Sequence, residues 1–184
     1  MHPVIVISPP RGGSSVVAKL LQEELGYMMD EGPIRKDWKN PSGYYEDLTV
    51  LRINKVALTN WKFHTEAKKI PLEWAKQFSV FIATRQFKYG DKWGFKDPSC
   101  VGLLPWIKQF LPDATWIVCK RRKDQIAGSL VEKFNYDKTF ALKYVDACYS
   151  IIEKNLNGQQ NVIDLSKRKK ERQIIKELRV AING

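Results

Sequence analysis

The sequence predicts an α/β fold, a three-layer sandwich around a parallel sheet of about four strands, in a single domain spanning residues 1–184. Three observations predict it. Short apolar runs alternate with longer stretches of helical spacing, the signature of strands joined by crossover helices. Two of the runs, Val4–Ile7 and Thr115–Cys119, read clearly as strands. The third observation is that the chemically loaded segments Pro9–Ser15, Lys96-Asp97-Pro98 and Lys120–Arg122 each follow a predicted strand. Ligands of such sheets bind outside the carboxyl ends of the strands, so these segments locate a site.

Each element has its own justification. Val4–Ile7 is a short β-branched run, as a buried strand requires. Ser14–Leu25 is a helix with Val16, Val17, Leu20, Leu21 and Leu25 on one face and Gly26 as its stop. Tyr27–Tyr45 mixes glycine, proline and charge and reads as loop. Asp47 to about Trp61 returns to helical spacing through Leu48, Leu51, Val56 and Leu58. Pro71 opens another helix, lined by Leu72, Trp74, Phe78, Phe81 and Ile82 and ended by Gly90. Trp93–Phe95 is a short strand, and Leu104–Phe110 a brief helix before Pro112. After the strand Thr115–Cys119 come helices over Lys123–Phe134 and Thr139–Leu156. A last strand, Val162–Leu165, precedes a last helix, Glu171–Ala181.

Composition narrows the class. Apolar residues make up 43% and aromatics 11%, which suits a packed globule. No apolar run approaches the ~20 residues of a membrane span, and the first residues lack the form of a signal peptide, so a cytoplasmic protein without a membrane partner is expected. Cys100, Cys119 and Cys148 are widely spaced with no C-x-x-C pair, and only His2 and His64 accompany them. Reduced thiols are expected rather than disulfides, and no metal. The net charge of +11 attracts anions, whether nucleic acid, anionic glycan or nucleotide. Part of it, Lys167–Lys170, reads as a solvated helix start.

The turn "SPPRGGSS" is built for an anion. It leaves a strand and enters a helix, so several backbone N–H groups and the helix's positive end face one spot. Gly12 and Gly13 permit close approach, Ser14 and Ser15 add hydroxyls, and Arg11 adds a fixed charge. An ordinary serine-capped connection is the plainer alternative. The loop lacks the G-x-x-x-x-G-K-[ST] spacing of ATP and GTP sites, and no lysine follows Gly13.

In order along the chain, "SPPRGGSS", "NPSGYYED" (Asn40–Asp47) and "WGFKDPSCVGLLPWIKQFLPDATWIVCKRRKDQIAGSL" (Trp93–Leu130) resemble motifs of sulfotransferases that use 3′-phosphoadenosine 5′-phosphosulfate (PAPS). The likeness is to a bacterial branch with Asn-Pro-x-Gly-aromatic-Glu and Trp-Gly-x-Lys-Asp-Pro segments. It implies a P-loop NTPase-like sulfotransferase fold, PAPS as donor, PAP (3′-phosphoadenosine 5′-phosphate) as product, and a small-molecule or glycan acceptor. It also implies that Arg11, Gly12, Gly13, Ser14 and Ser15 hold the 5′-phosphosulfate. Arg121 and Ser129 have the family's eight-residue spacing for the 3′-phosphate, with Arg122 a rival for Arg121.

The resemblance also assigns catalytic candidates. Glu46 is the first candidate for the base that deprotonates the acceptor; capping the following helix is its plainer role. Lys96 is placed to touch the transferring sulfate. Asp97 orients Lys96 or Arg11, or is itself the base. Arg11, with the loop amides, stabilises charge on the leaving phosphate. The sequence departs from the family in three places. Val16 stands where cytosolic members have tryptophan, no proline follows Arg121-Arg122, and Lys167–Lys170 lacks the glycine of their basic clamp.

Two other functions fit parts of the pattern. A P-loop kinase of a nucleotide or small metabolite shares the sheet and the loop position. A nucleic-acid or polyanion-binding module would use the charge and six tryptophans. Against that module, Trp74, Trp106 and Trp116 fall in apolar contexts and are expected in the core.

Overall fold

A computed structural model of the chain describes residues 2–32, 34–38, 40–58 and 65–183. The elements run β1 (Val4–Ile7), α1 (Ser14–Glu23), α2 (Leu48–Ala57), α3 (Leu72–Tyr89), β2 (Gly94–Lys96) and α4 (Cys100–Phe110). There follow β3 (Thr115–Lys120), α5 (Lys123–Phe134), α6 (Lys138–Leu156), β4 (Gln160–Asp164) and α7 (Glu171–Asn183). The strands form one all-parallel sheet in the order β2-β1-β3-β4.

Strand alternation divides the core in two. Ile5 and Ile7 of β1 join Phe95, Trp116 and Val118 on one face, packed against α2 to α6. Val4 and Val6 join Ile117, Cys119 and Ile163 on the other, packed against α1 and α7. A continuous apolar run therefore serves both faces, as successive side chains point oppositely. The first face is aromatic: Trp74 stacks on Phe78 at 4.7 Å between centroids, and Phe78 and Phe81 meet Phe95 edge-on. This is the expected three-layer α/β arrangement. Among the described residues, no helix is long and apolar enough to cross a membrane.

The element boundaries differ from expectation where local bonding outweighs pattern. The first helix ends at Glu23 rather than Leu25. The second starts at Leu48, because Asp47 is its N-cap, accepting from the N–H of Thr49 and Val50. It stops at Ala57, with Leu58 extended; the expected continuation to Trp61 enters residues 59–64, outside the described set. The second strand is shifted to Gly94–Lys96, and Trp93 instead makes an isolated bridge to Met28. Thr115–Lys120 extends the expected third strand by one residue, and the fourth occupies Gln160–Asp164 rather than Val162–Leu165.

The largest correction is α4, which begins at Cys100 rather than Leu104. Asp97 turns the chain there. Its carboxylate accepts the Ser99 N–H at 2.9 Å and its carbonyl the Cys100 N–H at 3.0 Å. Pro105 consequently lies inside the helix, where it removes one donor. Burial of Cys100, Val101, Leu103 and Leu104 offsets that loss.

Gly94 is the closest approach in the sheet. A Cβ there would sit 2.1 Å from the Val4 carbonyl oxygen. Gly94→Ala should force β2 off β1 and lower stability by about 1–3 kcal/mol in denaturant titration, with loss of the end of β2 that carries Lys96.

Candidate active site

The carboxyl ends of β1, β2 and β3 open on a cleft of about 460 Å³ whose lining includes Arg11, Gly13, Ser14, Ser15, Lys96, Asp97 and Arg121. The sheet thus brings the three loaded segments together.

The loop after β1 is held by its backbone. The Gly12 N–H donates to the Pro9 carbonyl at 2.9 Å, and a Cβ on Gly12 would lie 2.8 Å from the Ser8 side chain. Arg11 has a left-handed φ of 69° and Gly13 one of 94°. Gly13 is the N-cap of α1 and supplies no side-chain cap bond, which sets aside the ordinary serine cap. First-turn amides have no intrahelical acceptor, and α1 has no acidic residue in its first turn to offset its dipole.

Arg121 and Ser129 face this loop. Arg121 Nη1 donates to the Arg11 carbonyl at 3.3 Å, and Arg11 Nε donates to Ser129 Oγ on α5 at 3.0 Å. The main chain at Arg121 is set by Tyr149, whose hydroxyl accepts the Arg121 N–H at 3.2 Å and donates to the Cys119 carbonyl at 3.3 Å. Arg122 points elsewhere, bonding Asp124 through both Nε and Nη2 at the surface. Arg121 is therefore the arginine of this pair that lines the cleft.

Opposite stands the segment before α2. The Asn40 amide closes a turn on the Gly43 carbonyl at 2.6 Å, and the Tyr44 N–H returns to the Arg35 carbonyl at 2.9 Å. Tyr45, at φ 51°, buries its ring in the α1 side of the core and donates to Glu23. Its neighbours Tyr44 and Glu46 line the cleft. Asp37 accepts from the Tyr44 hydroxyl, and burial, then that bond, raises the phenol's pKa.

Glu46 is clamped between two cations. Lys96 Nζ donates to Oε1 at 2.6 Å and Arg35 Nη2 to Oε2 at 3.0 Å. Lys96, its side chain 3% exposed, also donates to the Tyr44 carbonyl at 3.1 Å. Glu46 does not cap α2; Asp47 does, and Asp47 also pairs with the buried Arg85 of α3. Asp97 is occupied otherwise: its carboxylate accepts from the Ser99 hydroxyl and, at 3.2 Å, from Asn54 Nδ2. Burial raises its pKa, with the Ser99 bonds opposing. Asn54 in turn accepts the Trp74 indole N–H at 3.2 Å.

A second cleft, about 370 Å³, shares Gly13, Val16 and Arg121 with the first and adds Lys167, Arg168 and Lys169. These basic residues precede α7 instead of starting it, and Lys169 reaches Glu177.

Arg35, Tyr149, Asn54 and the placement of Lys167–Lys169 were not read as functional from sequence. For Arg35 the only available cue was a cation in the same loop as Glu46. His64 and Trp61 lie outside the described residues. Trp74, Trp93 and Trp116 are buried, Trp106 is partly buried, and Trp38 is exposed. Among the described residues no three His, Cys, Asp or Glu side chains are grouped to hold a metal. No protein-family model matches the chain, and no curated protein matches it in sequence.

Asp47 anchors the segment that presents Glu46. Asp47→Ala removes two cap bonds and leaves Arg85 buried without its nearest carboxylate. Thermal or chemical unfolding should show a loss of about 3–5 kcal/mol.

Proposed function

We propose that this protein is a cytoplasmic sulfotransferase, one domain over residues 1–184, that moves a sulfuryl group from PAPS to a hydroxyl or amine of a small-molecule or glycan acceptor. The observation that carries the proposal is the convergence at one loop. Arg121 bonds the Arg11 carbonyl and Arg11 bonds Ser129, while the Lys96–Glu46 pair lines the same cleft. The donor set fits the nucleotide: amides, hydroxyls and Arg11 for the 5′ end, Arg121 and Ser129 for the 3′-phosphate. The three described cysteines are buried free thiols, which suits a reducing compartment.

When bound, PAPS supplies a sulfuryl group already activated by its anhydride link to phosphate. The chain's residues do the rest. Arg11, Ser14, Ser15 and the first amides of α1 hold the phosphate that gathers negative charge, each well-aimed donor being worth about 3 kcal/mol. Lys96 has three N–H donors. In the structure Nζ bonds Glu46 and the Tyr44 carbonyl, and a sulfate oxygen in the cleft would compete for its donors. Glu46 would take the proton of the attacking hydroxyl or amine, while Arg11, Ser14 and Ser15 would hold the phosphate that leaves with the electron pair of the broken sulfur–oxygen bond. Asp97, engaged by Ser99 and Asn54, shapes the end of β2 and the start of α4, and Glu46 is the base.

Calorimetry with PAP, and with ATP plus magnesium, tests this. PAP should bind without metal. Arg121→Ala should weaken it by about 10- to 100-fold, the worth of a charge-assisted phosphate contact, and Arg122→Ala should leave it within about twofold, as expected for a surface charge. Magnesium-dependent ATP binding without PAP binding would favour a kinase. Binding of an oligonucleotide alone, with a steep salt slope, would favour a polyanion module.

A further inference from the structure

Glu46 is held by two cations, and Arg35 has a feature that bears on how the carboxylate is positioned. Arg35 Nη2 bonds Glu46 Oε2 at 3.0 Å, but the adjacent Nε is buried with no hydrogen-bond partner among the described residues. Nε and Nη2 form one edge of the planar guanidinium, the edge that grips a carboxylate with two parallel bonds. Here that edge is half used. An orphaned buried donor is costly, so a second acceptor is favoured there. The guanidinium lies over the Tyr44 ring at 5.8 Å, and the Arg35 carbonyl accepts the Tyr44 N–H, so Tyr44 steadies both the main chain and the side chain of Arg35.

We infer that Arg35 is a positioning residue for Glu46 and that the two exchange bonds during the cycle. This inference rests on the sulfotransferase assignment. In the structure, Glu46 bridges Lys96 and Arg35. When a sulfate oxygen engages Lys96, Glu46 Oε1 leaves Nζ and moves onto Arg35 Nε, completing the two-bond grip. The exchange releases Lys96 toward the sulfate and keeps the carboxylate aimed, with its remaining lone pairs available for the acceptor proton. No group is oxidised or reduced, and the number of bonds to Glu46 is conserved.

A crystal structure soaked with PAP and sulfate ion tests the exchange directly. The expected result is Glu46 within hydrogen-bond distance of both Nε and Nη2 of Arg35, with Lys96 Nζ on the sulfate; Glu46 still on Lys96, with Nε unfilled, overturns it. Release of labelled sulfate from PAPS to water gives a second measure. Arg35→Gln and Arg35→Lys should both lower its kcat by about tenfold or more, the scale of a lost charge-assisted bond, with the KM for PAPS and PAP affinity within about twofold. Lysine keeps the charge but has no rigid edge, so recovery in Arg35→Lys overturns the exchange in favour of plain neutralisation. Parallel loss of PAP affinity and thermal stability overturns it in favour of a structural role. A wild-type protein that binds no PAP fails the donor assignment itself, whereas one that binds PAP with Glu46 unmoved fails only the exchange.

Discussion

Three cations held at one edge of a parallel sheet impose the constraint on which the site depends. Because β1, β2 and β3 run the same way, Arg11, Lys96 and Arg121 all emerge at their carboxyl ends, beside the positive end of α1. Like charges this close repel, and α1 contributes no first-turn acid to relieve them. The chain holds the three cations with bonds of different kinds. Glu46 meets Lys96, whereas Arg121 and Arg11 are tied to a carbonyl, a hydroxyl and Gln125. An anion entering the cleft thus meets three cationic side chains beside the first amides of α1.

The consecutive carboxylates Glu46 and Asp47 divide the work. Asp47 is 2% exposed, caps α2 and pairs with Arg85, whose ring neighbours Phe81 and Tyr89 lie 5.3 and 5.5 Å from its guanidinium carbon. Such a buried pair fixes geometry more than it adds net stability, since desolvation consumes much of the Coulomb gain. Its effect is to fix the start of α2, so that Glu46, one residue earlier, is delivered to the cleft from a rigid base. Tyr45 makes the same point from the other side: its left-handed turn and buried ring leave Tyr44 and Glu46 lining the cleft.

How much of this was legible follows from the range of each interaction. The sheet could be read because burial on both faces demands apolar strands, and Val4–Ile7 shows it without ambiguity. The loop at Arg11–Ser15 could be read because strand, turn and helix are contiguous in sequence. The start of α4 could not, because it depends on one side chain, Asp97, bonding two residues ahead. Arg35 could not either. Its bond to Glu46 crosses an irregular loop, where no periodicity says which side chains meet. Likewise, only the three-dimensional path from β4 to α7 reveals that Lys167–Lys169 border the second cleft.

The two clefts are best understood through Arg121, which belongs to both. Its Nη1 faces the Arg11 carbonyl and its Nε faces Gln125, so the guanidinium stands on the divide between the loop and the basic residues ahead of α7. A ligand with a single anionic group would satisfy one cleft and leave the other's charge exposed. A ligand with anionic groups at two ends, joined by an uncharged body, would satisfy both and lie across Gly13 and Val16. Small residues are required at that crossing, and at Gly13 the limit is already reached: an added Cβ would come 2.6 Å from Leu165 Cδ1. The placement of cationic groups across the two clefts, more than their number, is what a ligand spanning them would have to match.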